Sequence, residues 1–126
     1  MALRFSAMLH IPGDVRTAVA FYERAFGATT GWSTPAAADM VVQLLVAGVE
    51  FWVHPADEGI GNPSPADLRG TAVRLMLIVE DPDAVFDQAV AAGAVVRSPI
   101  QDHDYGWRDG SVLDPFGHRW EIGRPI

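Results

Sequence analysis

The order of apolar and polar positions along the chain predicts the same succession of elements twice. Leu3–Ile11 is an apolar segment typical of a strand, and it ends at a Pro-Gly-Asp turn. Apolar side chains then recur at helical spacing, which predicts a helix over residues 14–26 with Asp14 as its N-cap. Gly27 is suited to end this helix because glycine adopts the left-handed conformation without steric cost.

The second half of the chain repeats this order from Thr71 onwards. Val73–Val79 is predicted as a strand, and residues 82–92 as a helix capped by Asp81. Pro82 falls in the first turn of this helix, where its missing N–H costs nothing, and Gly93 is expected to end it. The shared strand–helix–glycine order indicates an internal repeat.

Each predicted helix is followed by a run of short strands. In the first half these are Thr29–Ser33, Met40–Val46 and Val49–His54, and in the second half Ala94–Ser98, Gly110–Leu113 and His118–Ile122. Ala47-Gly48 and Asp114-Pro115-Phe116-Gly117 are turn signals. The pattern predicts an α+β fold, a single domain over residues 1–126 with module one at 1–54, a linker at 55–70 and module two at 71–126.

Composition narrows the class of protein. The chain has 126 residues, 49% of them hydrophobic, and no cysteine, which excludes disulfides and thiolate metal sites. Its formal net charge of −7, with scattered arginines as its only basic residues besides histidine, argues against a nucleic-acid partner. No apolar run is long enough for a membrane span and no signal-peptide pattern opens the chain, so we expect no membrane partner and a cytoplasmic location.

Three motifs resemble those of the glyoxalase/bleomycin-resistance (vicinal oxygen chelate) superfamily. They are the helix ending Phe21-Tyr22-Glu23-Arg24-Ala25-Phe26-Gly27-Ala28, the segment Val79–Gly93, and Asp114-Pro115-Phe116-Gly117-His118-Arg119-Trp120-Glu121. The resemblance covers essentially the whole chain. It implies two βαβββ modules with curved mixed β-sheets that form a cupped cavity, a small organic ligand, and a homodimer whose modules pair either within a chain or across the dimer.

Metal-dependent members of this superfamily hold a divalent cation with four side chains, and the resemblance places those positions at Ala7, Trp52, Arg74 and Glu121. Only Glu121 is a usable ligand, because alanine and indole offer no suitable donor and arginine adds a positive charge. We therefore expect no metal and no cofactor, and a protein that binds a drug or natural product. The alternatives are a metal-dependent glyoxalase-like lyase, isomerase or dioxygenase acting on vicinal oxygens, or a domain that serves only for interaction. No catalytic residue is assigned.

Strand alternation predicts which side chains line the cavity. On the face toward the cavity, Glu50 and His54 are expected beside Trp52, and Arg119 beside Glu121. On the same face, Met76 and Ile78 are expected beside Arg74, and Phe5 and Leu9 beside Ala7. The alternate residues are expected to pack under the helices: Val49, Phe51, Val53, His118, Trp120 and Ile122. Residues 99–108 are predicted to form a loop whose aromatic residues lie at the rim of the cavity. The predicted ligand-binding residues are Trp32, Glu50, Trp52, His54, Arg74, Tyr105, Trp107 and Glu121.

Three of these assignments have alternatives. Trp52 is equally consistent with a core or interface position, and Trp32 and Trp107 with core packing. Arg74 and Glu121 can form an ion pair with each other. His54, with Glu50 on the same face, is also placed to coordinate a ligand together with Glu121. Glu50, Arg74 and Glu121 are expected to set the charge preference of the site.

Overall fold

A computed structural model describes residues 2–126. Within these residues the chain forms eight strands and three α-helices, and apart from one short helix between the modules they follow the repeated order that the sequence predicts. These are β1 (Met8–Ile11), α1 (Val15–Phe26), β2 (Thr29–Ser33), β3 (Val42–Val46), β4 (Val49–Pro55), α2 (Pro65–Leu68), β5 (Arg74–Ile78), α3 (Pro82–Ala92), β6 (Val95–Asp102), β7 (Trp107–Leu113) and β8 (Arg119–Pro125).

The strands form two mixed sheets of four, with orders β1-β4-β3-β2 and β5-β8-β7-β6. In each sheet the strand before the long helix pairs in parallel with the last strand, and the remaining pairs are antiparallel. Two modules of βαβββ topology result, which confirms the predicted fold class. The long helices α1 and α3 pack against each other and against one face of the sheets. We call the opposite face of each sheet its open face.

The helix ends are set by local sequence signals. The Asp14 side chain accepts a hydrogen bond from the Arg16 backbone N–H at 2.9 Å, and Gly27 ends α1 with a φ of 68°. The Asp81 side chain caps α3 by accepting from the Ala84 N–H at 3.1 Å. Both predicted helices are confirmed within one residue.

The core lies between the helices and the sheets and joins the two modules. Alternate residues of β3, β4 and β8 are buried, among them Leu44, Val53 and Ile122. Aromatic rings from both modules meet there at centroid distances of 4.8–6.1 Å, namely Tyr22, Phe26, Phe51, Phe116 and Trp120. The predicted packing of Phe51, Val53, Trp120 and Ile122 under the helices is correct.

The prediction of which residues of the first strand face the cavity is wrong. Leu9 is only 5% exposed and lies in the core, and Ala7 packs against it. In the parallel pairing of β1 with β4, Met8 lies opposite Trp52, so the even-numbered residues of this strand share the face of Trp52. Ser6, one residue before the predicted Ala7, therefore occupies the position that corresponds to Arg74 in module two. Phe5 lies before β1 and is fully exposed.

Other boundaries also differ from the predictions. β1 is shorter than Leu3–Ile11, and β6 and β7 extend into the predicted 99–108 loop, leaving only residues 103–106 as the turn. Residues 55–70 include a 3₁₀ turn at Glu58–Ile60 and the capped helix α2, neither of which was predicted. Val49 begins its strand 71% exposed rather than under the helix.

His118 lies outside β8 rather than within it. It is half-buried, and its Nε2 lies 2.8 Å from the His10 carbonyl oxygen, so it links the two modules. In the described residues 2–126, no helix is both long and apolar enough to cross a membrane.

Candidate functional site

The open face of the second sheet forms a cavity of about 550 Å³. Neighbouring strands supply its wall because side chains at alternate positions of β5, β7 and β8 point to this face. The turn between β6 and β7 closes one side. The lining residues are Arg74, Met76, Ser98, Gln101, His103, Tyr105, Trp107, Asp109, Arg119 and Glu121.

Glu121 lies between two guanidinium groups in this cavity. Its Oε1 accepts hydrogen bonds from Arg74 Nη1 at 3.2 Å and from Arg119 Nη2 at 3.1 Å. The Glu121 side chain is 14% exposed and that of Arg74 is 62% exposed, so the carboxylate lies at the floor and Arg74 at the solvent side. The ion pair between Arg74 and Glu121, which the sequence analysis gave as an alternative to ligand binding, is therefore present in the structure. Two arginines around one carboxylate leave this group with a net positive charge.

A second polar group lies on the opposite wall of the same cavity. His103 Nε2 is 2.9 Å from Asp109 Oδ1, and the Tyr105 hydroxyl donates to Asp109 Oδ2 at 3.2 Å. The His103 and Tyr105 rings stack, with centroids 4.7 Å apart and planes 8° apart. Partial burial raises the pKa of Tyr105, and the Asp109 carboxylate raises it further.

The open face of the first sheet carries a different set of side chains. Trp32 and Trp52 pack against each other with ring centroids 5.9 Å apart. A second cleft next to Trp52 is lined by Ala2, Leu3, Arg4, Ser6 and Glu50. Predicted residues from β2 and β4 therefore meet on one module, across the intervening strand β3.

Glu50 is fully engaged within the protein. Arg4 Nη2 donates to its two carboxylate oxygens at 2.7 and 2.6 Å, and Gln43 Nε2 donates to Oε2 at 2.5 Å. These hydrogen bonds, chiefly the one from Arg4, lower the pKa of Glu50. Glu50 is therefore an anion whose hydrogen-bonding capacity is used mainly by its neighbours.

His54 lies away from both of these groups. Its ring centroid is 6.2 Å from that of His10, and its Nδ1 is 2.9 Å from the Pro55 carbonyl oxygen. It shares no cavity with Glu121 within residues 2–126. The eight predicted residues thus fall into three places: Arg74, Tyr105, Trp107 and Glu121 together, Trp32, Glu50 and Trp52 together, and His54 apart.

Sequence reasoning missed several side chains of the second-module cavity. Gln101 lies in the segment predicted to be loop, and Asp109 lies between that loop and the predicted strand Gly110–Leu113, so their facing could not be derived. Gly123 is the residue in the sequence that could have indicated the position of Asp109, because the two residues lie opposite each other in the pairing of β7 with β8. A Cβ on Gly123 would lie 2.4 Å from the Asp109 Cβ. A glycine in a strand indicates such a close approach.

The superfamily's metal positions do not fit a divalent cation in this chain. With the strand register of the structure they are Ser6, Trp52, Arg74 and Glu121, of which only Glu121 is a good ligand. The lone pairs of its Oε1 are directed at two guanidinium groups, and Arg74 would repel the ion. Within residues 2–126 no three His, Asp or Glu side chains form a cluster suited to a metal.

Comparison with known proteins gives the family. The model of the Glyoxalase/Bleomycin resistance protein/Dioxygenase superfamily matches residues 6–122. The uncharacterised protein Mb0911c of Mycobacterium bovis is 35% identical over 118 residues, which cover 90% of this chain and 78% of that protein.

Two solved structures extend the comparison to three dimensions. TioX from Micromonospora sp. ML1 is 26% identical with a TM-score of 0.74, over 98% of this chain and 97% of that one. The product of Arabidopsis thaliana At5g48480 is 29% identical with a TM-score of 0.73, over 96% and 98% of the two chains. The chain therefore belongs to the glyoxalase/bleomycin resistance protein/dioxygenase superfamily.

Proposed function

We propose that this protein binds a small, largely planar organic molecule, a drug or natural product, on its open faces without a metal ion. The observation that carries this proposal is the Arg74–Glu121–Arg119 group, which occupies the place where a metal-dependent relative would need free ligands. Two guanidinium groups engage Oε1 of the one suitable carboxylate and bring positive charge to it, so the residues favour binding over metal-assisted chemistry.

The side chains around this group suit an organic ligand. Tyr105 and Trp107 offer aromatic surface, Met76 offers a flexible apolar contact, and Gln101 and Ser98 offer hydrogen bonds. A volume of about 550 Å³ lies in the range of small-molecule sites. Trp32 and Trp52 supply comparable aromatic surface on the first module.

We further propose that the protein works in the cytoplasm as a homodimer, with residues 1–126 acting as one domain in which residues 55–70 connect the modules. Both cavities are open clefts within one chain, and exposed apolar side chains such as Met8, Met76 and Ile78 lie on the open faces. A second copy would cover these side chains and bring the tryptophan pair of one module opposite the cavity of the other. Native mass spectrometry tests this stoichiometry, and a monomer at micromolar concentration would contradict it.

The test of binding is a titration of the purified protein, followed by tryptophan fluorescence, against planar antibiotics and aromatic metabolites. Elemental analysis of the same sample measures its metal content. Saturable quenching with substoichiometric metal supports the proposal. Stoichiometric nickel, zinc, iron or manganese, together with turnover of α-keto-aldehydes or catechols, would instead establish the metal-dependent enzyme.

A further inference from the structure

A cleft outside the proposed ligand site gathers positive charge in an acidic protein. It has a volume of about 600 Å³ and lies where α2 and residues 69–71 meet the Pro115–Gly117 turn. Three of the chain's nine basic side chains other than histidine line it: Arg69, Arg97 and Arg119. No acidic residue lines this cleft, although Asp and Glu outnumber Arg in the chain.

Two of these arginines have no partner within residues 2–126. Arg16 and Arg108 pair with carboxylates at 2.7 Å, whereas the guanidinium groups of Arg69 and Arg97 make no hydrogen bond and no ion pair among the described residues. The third, Arg119, gives one Nη to Glu121, but its Nε is buried and lacks an acceptor in the same part of the chain. Arg69 and Arg97 are exposed at the cleft, so their donors are accessible to a ligand. Accessible guanidinium groups around one cavity favour an oxyanion, because their forked N–H groups match carboxylate and phosphate oxygens.

The backbone around Arg69 holds it in an uncommon conformation. Arg69 has a φ of 57°, the left-handed region that non-glycine residues seldom adopt, and it ends α2. The adjoining wall is tightly packed, since a Cβ on Gly117 would lie 2.8 Å from the Pro65 Cβ. The backbone of Arg69 therefore lies directly after α2, next to the tightly packed contact between Pro65 and the Pro115–Gly117 turn.

Apart from Thr71, the other side chains that line the cleft are apolar. Pro12, Pro65, Leu113, Pro115 and Phe116 contribute most of the remaining surface. We propose that this cleft is a second binding site, for an organic oxyanion in which a carboxylate or phosphate is attached to a small apolar group. The oxyanion lies against Arg69 and Arg97, and the apolar group against Leu113 and Phe116. This site goes beyond the proposed function, because only Arg119 is common to both cavities.

The experiment is an NMR titration of the ¹⁵N-labelled protein with benzoate, phenyl phosphate, inorganic phosphate and the neutral analogue benzamide. We expect benzoate or phenyl phosphate to shift the backbone amide signals of Thr71 and Gly117 saturably, with a Kd of about 1 mM or below. Phenyl phosphate should bind more tightly than inorganic phosphate because of the apolar wall. Equal binding of benzoate and benzamide, or of the two phosphates, would overturn the proposal, as would the absence of saturable shifts for both organic anions.

Variants locate the site. Arg97→Gln and Arg69→Asn should each weaken benzoate binding by about tenfold, since each variant loses a charge-assisted hydrogen bond to the carboxylate. Asparagine is chosen at position 69 because it tolerates the left-handed conformation. Arg24→Gln removes the same charge from the exposed end of α1 and is the matched control. If Arg24→Gln weakens binding as much as the cleft variants do, general electrostatic attraction explains the result and the site does not exist.

Discussion

The phenol of Tyr22 is expected to hold the two modules together through a buried carboxylate. Tyr22 belongs to α1, and its hydroxyl donates a hydrogen bond to Asp114 Oδ2 in the turn before β8. Trp120 Nε1 donates to the same oxygen at 3.0 Å, and the N–H groups of Phe116 and His118 donate to Oδ1 at 2.9 Å each. Tyr22 is 0% exposed and Asp114 is buried, so water cannot replace a missing partner.

Tyr22→Phe removes the hydroxyl and leaves the ring. We expect the free energy of unfolding to fall by about 2 kcal/mol, because a hydrogen bond to a charged acceptor is worth about 1.5–3 kcal/mol and Asp114 keeps three other donors. In urea this corresponds to a midpoint lower by about 1 M for an m-value of roughly 2 kcal/mol/M. Equilibrium unfolding followed by circular dichroism measures the change.

The chain offers a matched control, since Tyr105 is its one other tyrosine. The Tyr105 hydroxyl also donates to a carboxylate, that of Asp109, but Tyr105 is exposed. Tyr105→Phe should therefore change the free energy of unfolding by less than about 0.5 kcal/mol. If the two tyrosine variants lose equal stability, or if Tyr22→Phe loses none, burial of the Asp114 network is not what joins the modules.

Three further predictions concern charge and binding. Burial raises the pKa of Tyr22, so the stability that its neutral phenol contributes is complete below the unfolded pKa of about 10 and is lost as pH rises above it. In Tyr22→Phe the free energy of unfolding should therefore fall less steeply at alkaline pH than in the wild type. Arg4→Met should raise the pKa of Glu50, measured by carboxyl NMR titration, because the hydrogen bond from Arg4 is the main cause of the lowered pKa. The stability linked to Glu50 is lost as pH falls through that lowered pKa, and an unchanged pKa in the variant would contradict the contact. Trp107→Ala should weaken a planar ligand found by titration about tenfold in calorimetry, whereas Trp107→Phe should retain most of the affinity; equal losses would argue against stacking.

The helices could be predicted from the sequence because their ends depend on local signals. Asp14 and Gly27 for α1, and Asp81 and Gly93 for α3, act within one turn of the residues that they cap. The short hairpin turn at Ala47-Gly48 follows the same logic, with φ values of 49° and 80°. No distant contact is needed to place these features.

The face of β1 could not be predicted because its own pattern is ambiguous. Ala7, Met8, Leu9 and Ile11 are all apolar, so either set of alternate residues fits a buried face. The pairing of Met8 with Trp52 decides the register, and this contact joins residues far apart in the chain. The register in the structure differs by one residue from the predicted one, so Ser6 takes the superfamily metal position that was assigned to Ala7. The conclusion that only Glu121 is a good metal ligand is unchanged.

The extent of β6 was missed because Pro99 reads locally as a strand terminator. β6 is an edge strand, where a missing N–H is tolerated, and its pairing with β7 shifts register between Val96 and Gln101. Gly110 on β7 makes this irregularity possible, because a Cβ there would lie 2.8 Å from the Ser98 carbonyl oxygen. A glycine opposite a proline in paired strands thus indicated a bulge rather than a loop.

The charge preference of the site follows from contacts that the sequence did not specify. Glu50, Arg74 and Glu121 were expected to set this preference. In the structure Arg4 and Gln43 engage Glu50, and Arg74 with Arg119 engages Glu121. A cation that approaches either carboxylate meets a guanidinium charge beside it, whereas a neutral or anionic group meets the exposed side of Arg74 directly. Because a charge at close range outweighs the screened net charge of −7, we expect the side of the cavity next to Arg74 to favour neutral or anionic groups of a ligand, while Asp109 places a negative charge elsewhere in the same cavity.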